Sequence, residues 1–496
     1  MLDQENIDKF RNISIGPNSH IIDGNLCPSI SGKTSDVLSP LNGKILCSIS
    51  SGDERDVQLA VQAARKSFTD SRWSGQTPNM RKKIMHKWAD LIEAETLKLC
   101  IMGVRDNGTN ISMAIKAEVG SAISTIRYYA EAIDKIYGQI TPNVEGTLGL
   151  IHKEPVGVVA VIVPWNFPLM IGAWKLGPAI AAGNSVILKP AESASLALLR
   201  ISELALEAGL PPGVLNVVTG KGSIVGESLA LSNDIDVIVF TGSGYVGRQL
   251  LQNSANSNLK RCYLELGGKS PNIIFNDVKD IIKAAKISAT GIFRNSGQVC
   301  IAGSRLLIQN DIYEDFMVEM AKFSADISPG DPLNMNSSSG AINNLNQLEQ
   351  NLKFVDIAQK EGGNLYMGGH RVMQDTGGYF MEPTIITNVK VSDSIAQKEV
   401  FGPVLAVSTF ETEEEAIGLA NSTDYGLAAG VWTSDLSRAH RMVRSIKSGL
   451  VHVNTYGGSD LTIPLGGVKQ SGNGYDKSLH AFDKYLNLKS AWIQLE

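Results

Sequence analysis

Cysteine is scarce in this chain: five residues, at 27, 47, 100, 262 and 300, out of 496. An odd number spread this thinly excludes a disulfide framework, fits a reducing compartment and leaves a thiol free for chemistry. Long apolar runs are missing as well. The longest, Val156–Val163, falls far short of the ~20 residues that a membrane span requires, so no membrane association is expected. Met1–Glu5 carries neither the positive start nor the apolar stretch of a secretory signal, and a cytoplasmic location is expected. There is no basic block either. Lys and Arg number 45 against 50 Asp and Glu, a net charge of −5, which argues against nucleic acid as the main partner. Internal repeats and low-complexity tracts are absent, and no bound metal is expected.

Short apolar segments punctuated by glycine are plentiful. The 48 glycines fall at junctions between periodic segments, as an α/β protein with many tight strand–helix turns requires. Val57, Ala60, Val61, Ala64 and Phe68 recur on one helical face over 54–68. Thr77-Pro78 reads as an N-cap with proline at the first helical position, opening a helix through Ile84, Trp88 and Leu91. Strand-like runs at Val158–Val163, Ser185–Leu188, Val214–Val218 and Val237–Phe240 alternate with helices over Ala173–Ala182 and Ser193–Ala208. A mostly parallel sheet with helices on both faces is the expected result. A second α/β stretch runs from Ser270 to about Val453, with strands expected at Asn272–Phe275, Arg305–Ile308, Leu405–Phe410 and Leu450–Val453. Tyr485–Leu495 alternates like a strand reaching away from both bodies, suited to pairing with another subunit's sheet edge.

Several segments carry chemistry. Strand Asp236–Phe240 leads into Gly242-Ser243-Gly244-Tyr245-Val246-Gly247 and a helical run, the strand–turn–helix setting in which glycines let a backbone approach a pyrophosphate. The same pattern also makes a tight turn with no ligand. Glu265, 18 residues after Gly247, stands where an ordinary dinucleotide fingerprint places its ribose-binding acid. Lys189 and Glu192, just past strand Ser185–Leu188, are better placed to hold ribose hydroxyls, and Glu192 would repel a 2′-phosphate; a solvated helix entrance is the alternative. Cys300 lies in the polar loop Asn295-Ser296-Gly297-Gln298-Val299-Cys300, either an exposed thiol or an inert buried one. Glu265, flanked by Leu264 and Leu266 and followed by two glycines, is positioned for partial desolvation, which suits a general base and also a structural ion pair. Asn166, at the end of the most apolar strand, either donates to an oxyanion or caps a turn.

These pieces, together with Glu399-Val400-Phe401-Gly402-Pro403, occur in one order along essentially the whole chain, and the set resembles the aldehyde dehydrogenase superfamily. The resemblance implies a modified doubly wound NAD domain (1–132 and 152–263), an α/β catalytic domain (264–478) and a small β oligomerisation element (133–151 and 479–496). It implies Cys300 as nucleophile, Glu265 as the base for the hydrolytic water, and Asn166 with the Cys300 N–H as oxyanion hole. Lys189 and Glu192 match the groups on the adenosine ribose. Trp165, Gly242 and Ser243 lie along the dinucleotide, and Glu399 holds the nicotinamide ribose with Phe401 beside it. NAD is the implied cofactor, with NADP weaker, and a homodimer or homotetramer the implied assembly. An acylating enzyme that passes the thioester to coenzyme A is disfavoured by Glu265, and a purely structural protein by the presence of all three catalytic positions.

A narrower branch, the γ-glutamyl-γ-aminobutyraldehyde dehydrogenases of bacterial putrescine catabolism, is resembled at Tyr129–Tyr137, Trp174–Pro178, Lys469–Gly474 and Asp476–His480. It implies an ω-amino or γ-glutamyl-amino aldehyde as substrate, with an acidic semialdehyde or a broad range of aliphatic aldehydes as alternatives. Asp106 and Asp460 are candidates for reaching an amino or amide tail, with a turn or helix-end carboxylate as the alternative for each, and Met170, Trp174 and Ile301 are expected to line the tunnel. The sequence departs from the branch at Leu465 and Asn107-Gly108-Thr109, and at Arg294, where relatives usually carry an aromatic residue. An arginine beside the tunnel would attract a carboxylate and repel a bare ammonium, whereas one pointing to solvent would do neither.

Overall fold

The computed structural model describes residues 3–16 and 18–495; Met1 and Leu2 of the stretch read against a secretory signal, with Pro17 and Glu496, lie outside the described residues. Its first sheet is built on strands Val158–Ile162 and Ser185–Lys189, each buried at every position. Burial of that kind is what a parallel strand covered on both faces demands. In space the order is Arg261–Glu265, Val237–Thr241, Val158–Ile162, Ser185–Lys189, Leu215–Val217, all parallel, followed by His20–Ile22 and Asn25–Cys27 running antiparallel. The last two form a hairpin closed by Asp23 and Gly24, both at positive φ (48° and 79°), the turn geometry that Asp-Gly favours. Strand order reverses between Val158–Ile162 and Val237–Thr241. A crevice at the carboxyl ends of those two strands is therefore the expected ligand site, and Trp165–Asn166 and Gly242–Ser243 stand there.

The second sheet has the order Asn364–Met367, Thr384–Thr387, Val404–Phe410, Arg305–Gln309, Pro271–Ile274, Ala428–Trp432, Leu450–Val453, parallel except for the first pair. Ala428–Trp432 is a central strand that the sequence pattern does not announce, because it is built of small residues. At Gly430 a Cβ would strike the Tyr456 ring and the Asn272 side chain. A third, three-stranded sheet pairs Leu486–Gln494 with Thr147–Pro155 in antiparallel register, and adds Gln139–Ile140 on the far side. Buried Asn184 ties this element to the first sheet. Its Oδ1 accepts from Gly157 N–H (2.9 Å), while Nδ2 donates to the carbonyls of Ala179 (3.0 Å) and Tyr485 (3.1 Å). No helix among the described residues is long and apolar enough to cross a membrane.

The helix expected at Ala173–Ala182 runs instead over Pro168–Ala181, with proline in its first turn. Its amino end is capped from outside. Glu118, in the π-turn Ala114–Val119, accepts from the N–H groups of Leu169 (2.7 Å) and Met170 (3.3 Å) through Oε2. Oε1 is buried without a hydrogen-bond partner. Burial outweighs the two hydrogen bonds and pushes the carboxyl up to about 8. The folded chain thus keeps a proton that an unfolded glutamate gives up near 4.5, so this group drains stability as pH rises from about 4.5 to about 8. Glu118→Gln retains an acceptor and has nothing to ionise. Its melting temperature relative to the wild type is expected to climb between pH 5 and pH 8 by differential scanning fluorimetry; an offset that does not vary with pH contradicts the buried neutral carboxyl.

Candidate active site

The loop carrying Cys300 follows helix Ile281–Phe293 and makes three successive left-handed turns of backbone, Asn295 (φ 48°), Ser296 (φ 55°) and Gly297 (φ 73°). Non-glycine residues in that region cost ~1–2 kcal/mol each, so the surroundings must hold them. Asn295 Nδ2 donates to the Asn166 carbonyl (3.1 Å), and Ser296 Oγ to the Gly340 carbonyl (2.9 Å). Gln298 Nε2 donates to the carbonyls of Asn295 (3.1 Å) and Ala341 (3.2 Å), and its Oε1 accepts from Asn343 N–H (2.8 Å). At Gly297 a Cβ would overlap the Gly402 carbonyl. The strain is fixed by a buried polar net, and the thiol is delivered to the mouth of the crevice.

Charge around the thiol is negative. Burial, then the carboxylates of Glu399 and Glu265, push Cys300 up to about 12, while the Ile301 N–H and Arg294 pull the other way. Asn166 donates one amide hydrogen to the Gln298 carbonyl (2.9 Å), leaving its second donor for the cavity it lines with Cys300. Glu265 ends strand Arg261–Glu265, and its Oε1 is buried without a partner. Burial first, then the Asp476 carboxylate, hold it well above the usual carboxylate range against Lys175 and Lys484. Asp476 is gripped by Lys175 Nζ (2.8 Å) and by Lys484, all three buried. Burial opposes its ionisation, yet the two ammonium groups win and its carboxyl lies below the usual range. Sequence reasoning missed this charged cluster; the signal available was a lysine, Lys175, inside an otherwise apolar helix.

Two adjoining cavities, of about 1200 and 200 Å³, follow the crevice and share Pro164, Trp165, Thr241, Gly242 and Ser243. The larger holds Lys189 and Glu192, with Glu192 Oε1 accepting from Gly222 N–H (2.8 Å) and 3.7 Å from Lys189 Nζ. Between the ends lies the amino terminus of helix Gly244–Ala255, where Ser243 Oγ accepts from Val246 N–H (3.3 Å) and buried Thr241 Oγ1 has no partner. The smaller cavity holds Glu399, whose Oε1 accepts from Gly268 N–H (3.0 Å) and whose carboxyl burial raises to about 7. There Phe401 packs edge-on against Trp165 at 5.3 Å. A carboxylate at each end and a helix amino terminus between them suit two riboses joined by a pyrophosphate. These residues fit NAD.

A separate tunnel of about 270 Å³ reaches the thiol from the other side, lined by Met170, Trp174, Ile301 and Arg294 among others. Arg294 thus faces the tunnel and not solvent. Two expectations are corrected. Asp106 is buried away from the tunnel, where its Oδ2 accepts from Leu196 N–H (3.1 Å) at the start of helix Leu196–Ala208. Asp460 is outside the lining, folded back on Thr462 N–H (2.9 Å) and Oγ1 (2.7 Å), although its neighbours Ser459 and Leu461 line it. Lys477, Ser121, Ser124 and Thr125, none of them singled out as site residues from the sequence, also line it. Cys300 alone belongs to both the tunnel and the cleft on the crevice side.

Residues 28–491 match the aldehyde dehydrogenase family. The chain is 45% identical over 489 residues to the NADP/NAD-dependent aldehyde dehydrogenase PuuC of Escherichia coli (strain K12), covering 99% of this chain and 98% of that one. Two solved structures match it over the full length of both chains with TM-scores of 0.98. They are a γ-glutamyl-γ-aminobutyraldehyde dehydrogenase from Burkholderia cenocepacia J2315 (44% identity) and an indole-3-acetaldehyde dehydrogenase complexed with NAD+ (45%). Likeness of this extent, over a crevice shaped for a dinucleotide and a thiol at its mouth, makes the chain a member of the aldehyde dehydrogenase family and an NAD-dependent oxidoreductase acting on aldehydes.

Proposed function

We propose that this enzyme converts an ω-amino or γ-glutamyl-amino aldehyde, of the kind released in polyamine breakdown, to the carboxylate through a thioester on Cys300. The observation that carries the route is that Cys300 alone lines both the tunnel and the adjoining cleft. Support for the substrate class comes from the likeness to the Burkholderia enzyme, and from apolar walls for methylenes at Met170, Trp174, Leu461 and Leu465. Glu192, which lines the larger cavity beside Lys189, would favour NAD over NADP by repelling a 2′-phosphate.

Cys300 loses its thiol proton to water, and the thiolate attacks the aldehyde carbon; the oxygen, now an alkoxide, is met by the free Asn166 amide hydrogen and the Cys300 N–H. NAD bound in the cleft supplies the hydride acceptor that turns the thiohemiacetal into a thioester. Glu265, with a raised proton affinity and an unpartnered oxygen, takes a proton from water; the resulting hydroxide cleaves the thioester and frees the thiolate and the carboxylate product. Cys300→Ala is expected to abolish NADH formation from aldehydes. Glu265→Gln is expected to give a burst of about one NADH per site, then turnover slower by ~10²–10⁴-fold, with the acyl adduct on Cys300 visible by intact-mass spectrometry. Full turnover by Cys300→Ala defeats the scheme.

We propose further that the third sheet joins copies of this chain. Strand Leu486–Gln494 is the outer strand of that sheet and exposes Leu488 (70%) and Trp492 (66%) on one face, while Ile140 (74%) and Val144 (71%) stand open nearby. Exposed apolar groups on a free strand edge suit association. Trp492→Glu is expected to lower the solution mass measured by light scattering; a mass unchanged from wild type, or a monomeric wild type, removes this interface.

A further inference from the structure

Among the described residues, the tunnel to Cys300 is lined by two cationic side chains, Arg294 and Lys477, and by no acidic one. Arg294 begins the strained loop, with Nη1 beside Gly457, 3.1 Å from where a Cβ on that glycine would stand. Among the described residues its guanidinium makes no hydrogen bond and no ion pair, and Nε is buried without a partner. Its charged surroundings are the Tyr456 hydroxyl, the Cys300 thiol and His452, none of them a standing anion. A guanidinium withdrawn from water is normally matched by a carboxylate. Here the space where that carboxylate would lie is the tunnel itself.

Lys477 approaches from the other wall. Its backbone is left-handed (φ 65°), and Nζ donates to the Ser459 carbonyl (2.9 Å) and Oγ (2.8 Å), 5.7 Å from the centre of the Trp174 ring. Three hydrogens on Nζ and two acceptors leave one donor uncommitted. Asp460, whose charge acts on Lys477, is outside the lining and accepts from Thr462. Methylenes of a substrate have Met170, Trp174, Leu461 and Leu465 to lie against.

We infer that Arg294 and Lys477 form a carboxylate-binding end to the substrate tunnel, so that the preferred aldehydes carry an anionic tail and those ending in a free ammonium are rejected. This rests on the Cys300 oxidation route and narrows its substrate class. A γ-glutamyl-amino aldehyde satisfies the pair through the α-carboxylate of its glutamyl group, which also balances the α-ammonium beside it, and a dicarboxylic semialdehyde does so with no ammonium at all. A planar guanidinium receives a carboxylate through two parallel N–H donors, which fixes the tail as well as attracting it. A free ω-amino aldehyde brings a third positive charge to a tunnel that no acidic side chain lines among the described residues.

The test is a matched panel assayed with NAD on the full chain: 5-oxopentanoate, pentanal and 4-aminobutanal. Glutarate, pentanoate and 5-aminopentanoate serve as product-like inhibitors competing with aldehyde. For the wild type, kcat/KM for 5-oxopentanoate is expected to exceed that for pentanal at least tenfold and that for 4-aminobutanal by more, and glutarate to inhibit at the lowest concentration. In Arg294→Gln the 5-oxopentanoate to pentanal ratio is expected to collapse toward one through KM, with Arg294→Lys retaining part of it. A wild type that uses pentanal or 4-aminobutanal as well as 5-oxopentanoate overturns the inference while aldehyde oxidation stands. So does a ratio that survives in both Arg294→Gln and Lys477→Met. If no aldehyde reduces NAD, the oxidation route itself fails and the inference falls with it.

Discussion

The hydrogen bond from Asn166 Nδ2 to the Gln298 carbonyl, returned by Asn295 Nδ2 to the Asn166 carbonyl, is the joint on which the site depends. It fastens the carboxyl end of the most buried strand of the first sheet to the loop that carries the thiol. Without it, two non-glycine residues in left-handed backbone would relax, and Cys300 would leave the point where tunnel and cleft meet. The same joint explains why the oxyanion donor and the nucleophile belong to segments far apart in sequence: each holds the other's backbone in place.

Electrostatics set the second constraint. Glu399, Glu265 and the thiol crowd one region, and burial raises the proton affinity of each, which limits how much negative charge the region holds at once. Proton affinity is tuned from behind by Asp476, which two buried lysines keep ionised while its charge raises Glu265. Arg294 is the one side-chain cation that draws the thiol down from within the tunnel. An anion bound to that arginine would weaken this pull, so holding a carboxylate tail and activating the thiol compete for one charge.

Much of the architecture was legible because parallel strands buried on both faces leave unbroken apolar runs, as at Val158–Val163, and because caps such as Thr77-Pro78 and Gly209 mark helix ends chemically. What stayed hidden was packing by small or short elements. Ala428–Trp432 is strand because Gly430 admits the Tyr456 ring, a fact about a partner residue absent from the local pattern. The hairpin at Asp23-Gly24 did carry a local signal, but three-residue strands offer too little alternation to stand out.

At the site, the residues whose chemistry follows from the backbone they sit on were the readable ones: glycines at a strand–helix turn, an amide at a strand end, a thiol in a polar loop. Side chains whose meaning depends on what surrounds them were not. Asp106 and Asp460 look alike as carboxylates near the expected tunnel, yet one is spent on the helix at Leu196 and the other on Thr462. Each accepts from a backbone N–H, Asp460 within its own turn, as short acidic side chains do, and Asp106 from a helix 90 residues farther along the chain. Lysine and arginine reach farther and present no acceptor, so where no acid is near they remain unmatched. That asymmetry is why the charge of this tunnel is positive although the chain as a whole is acidic.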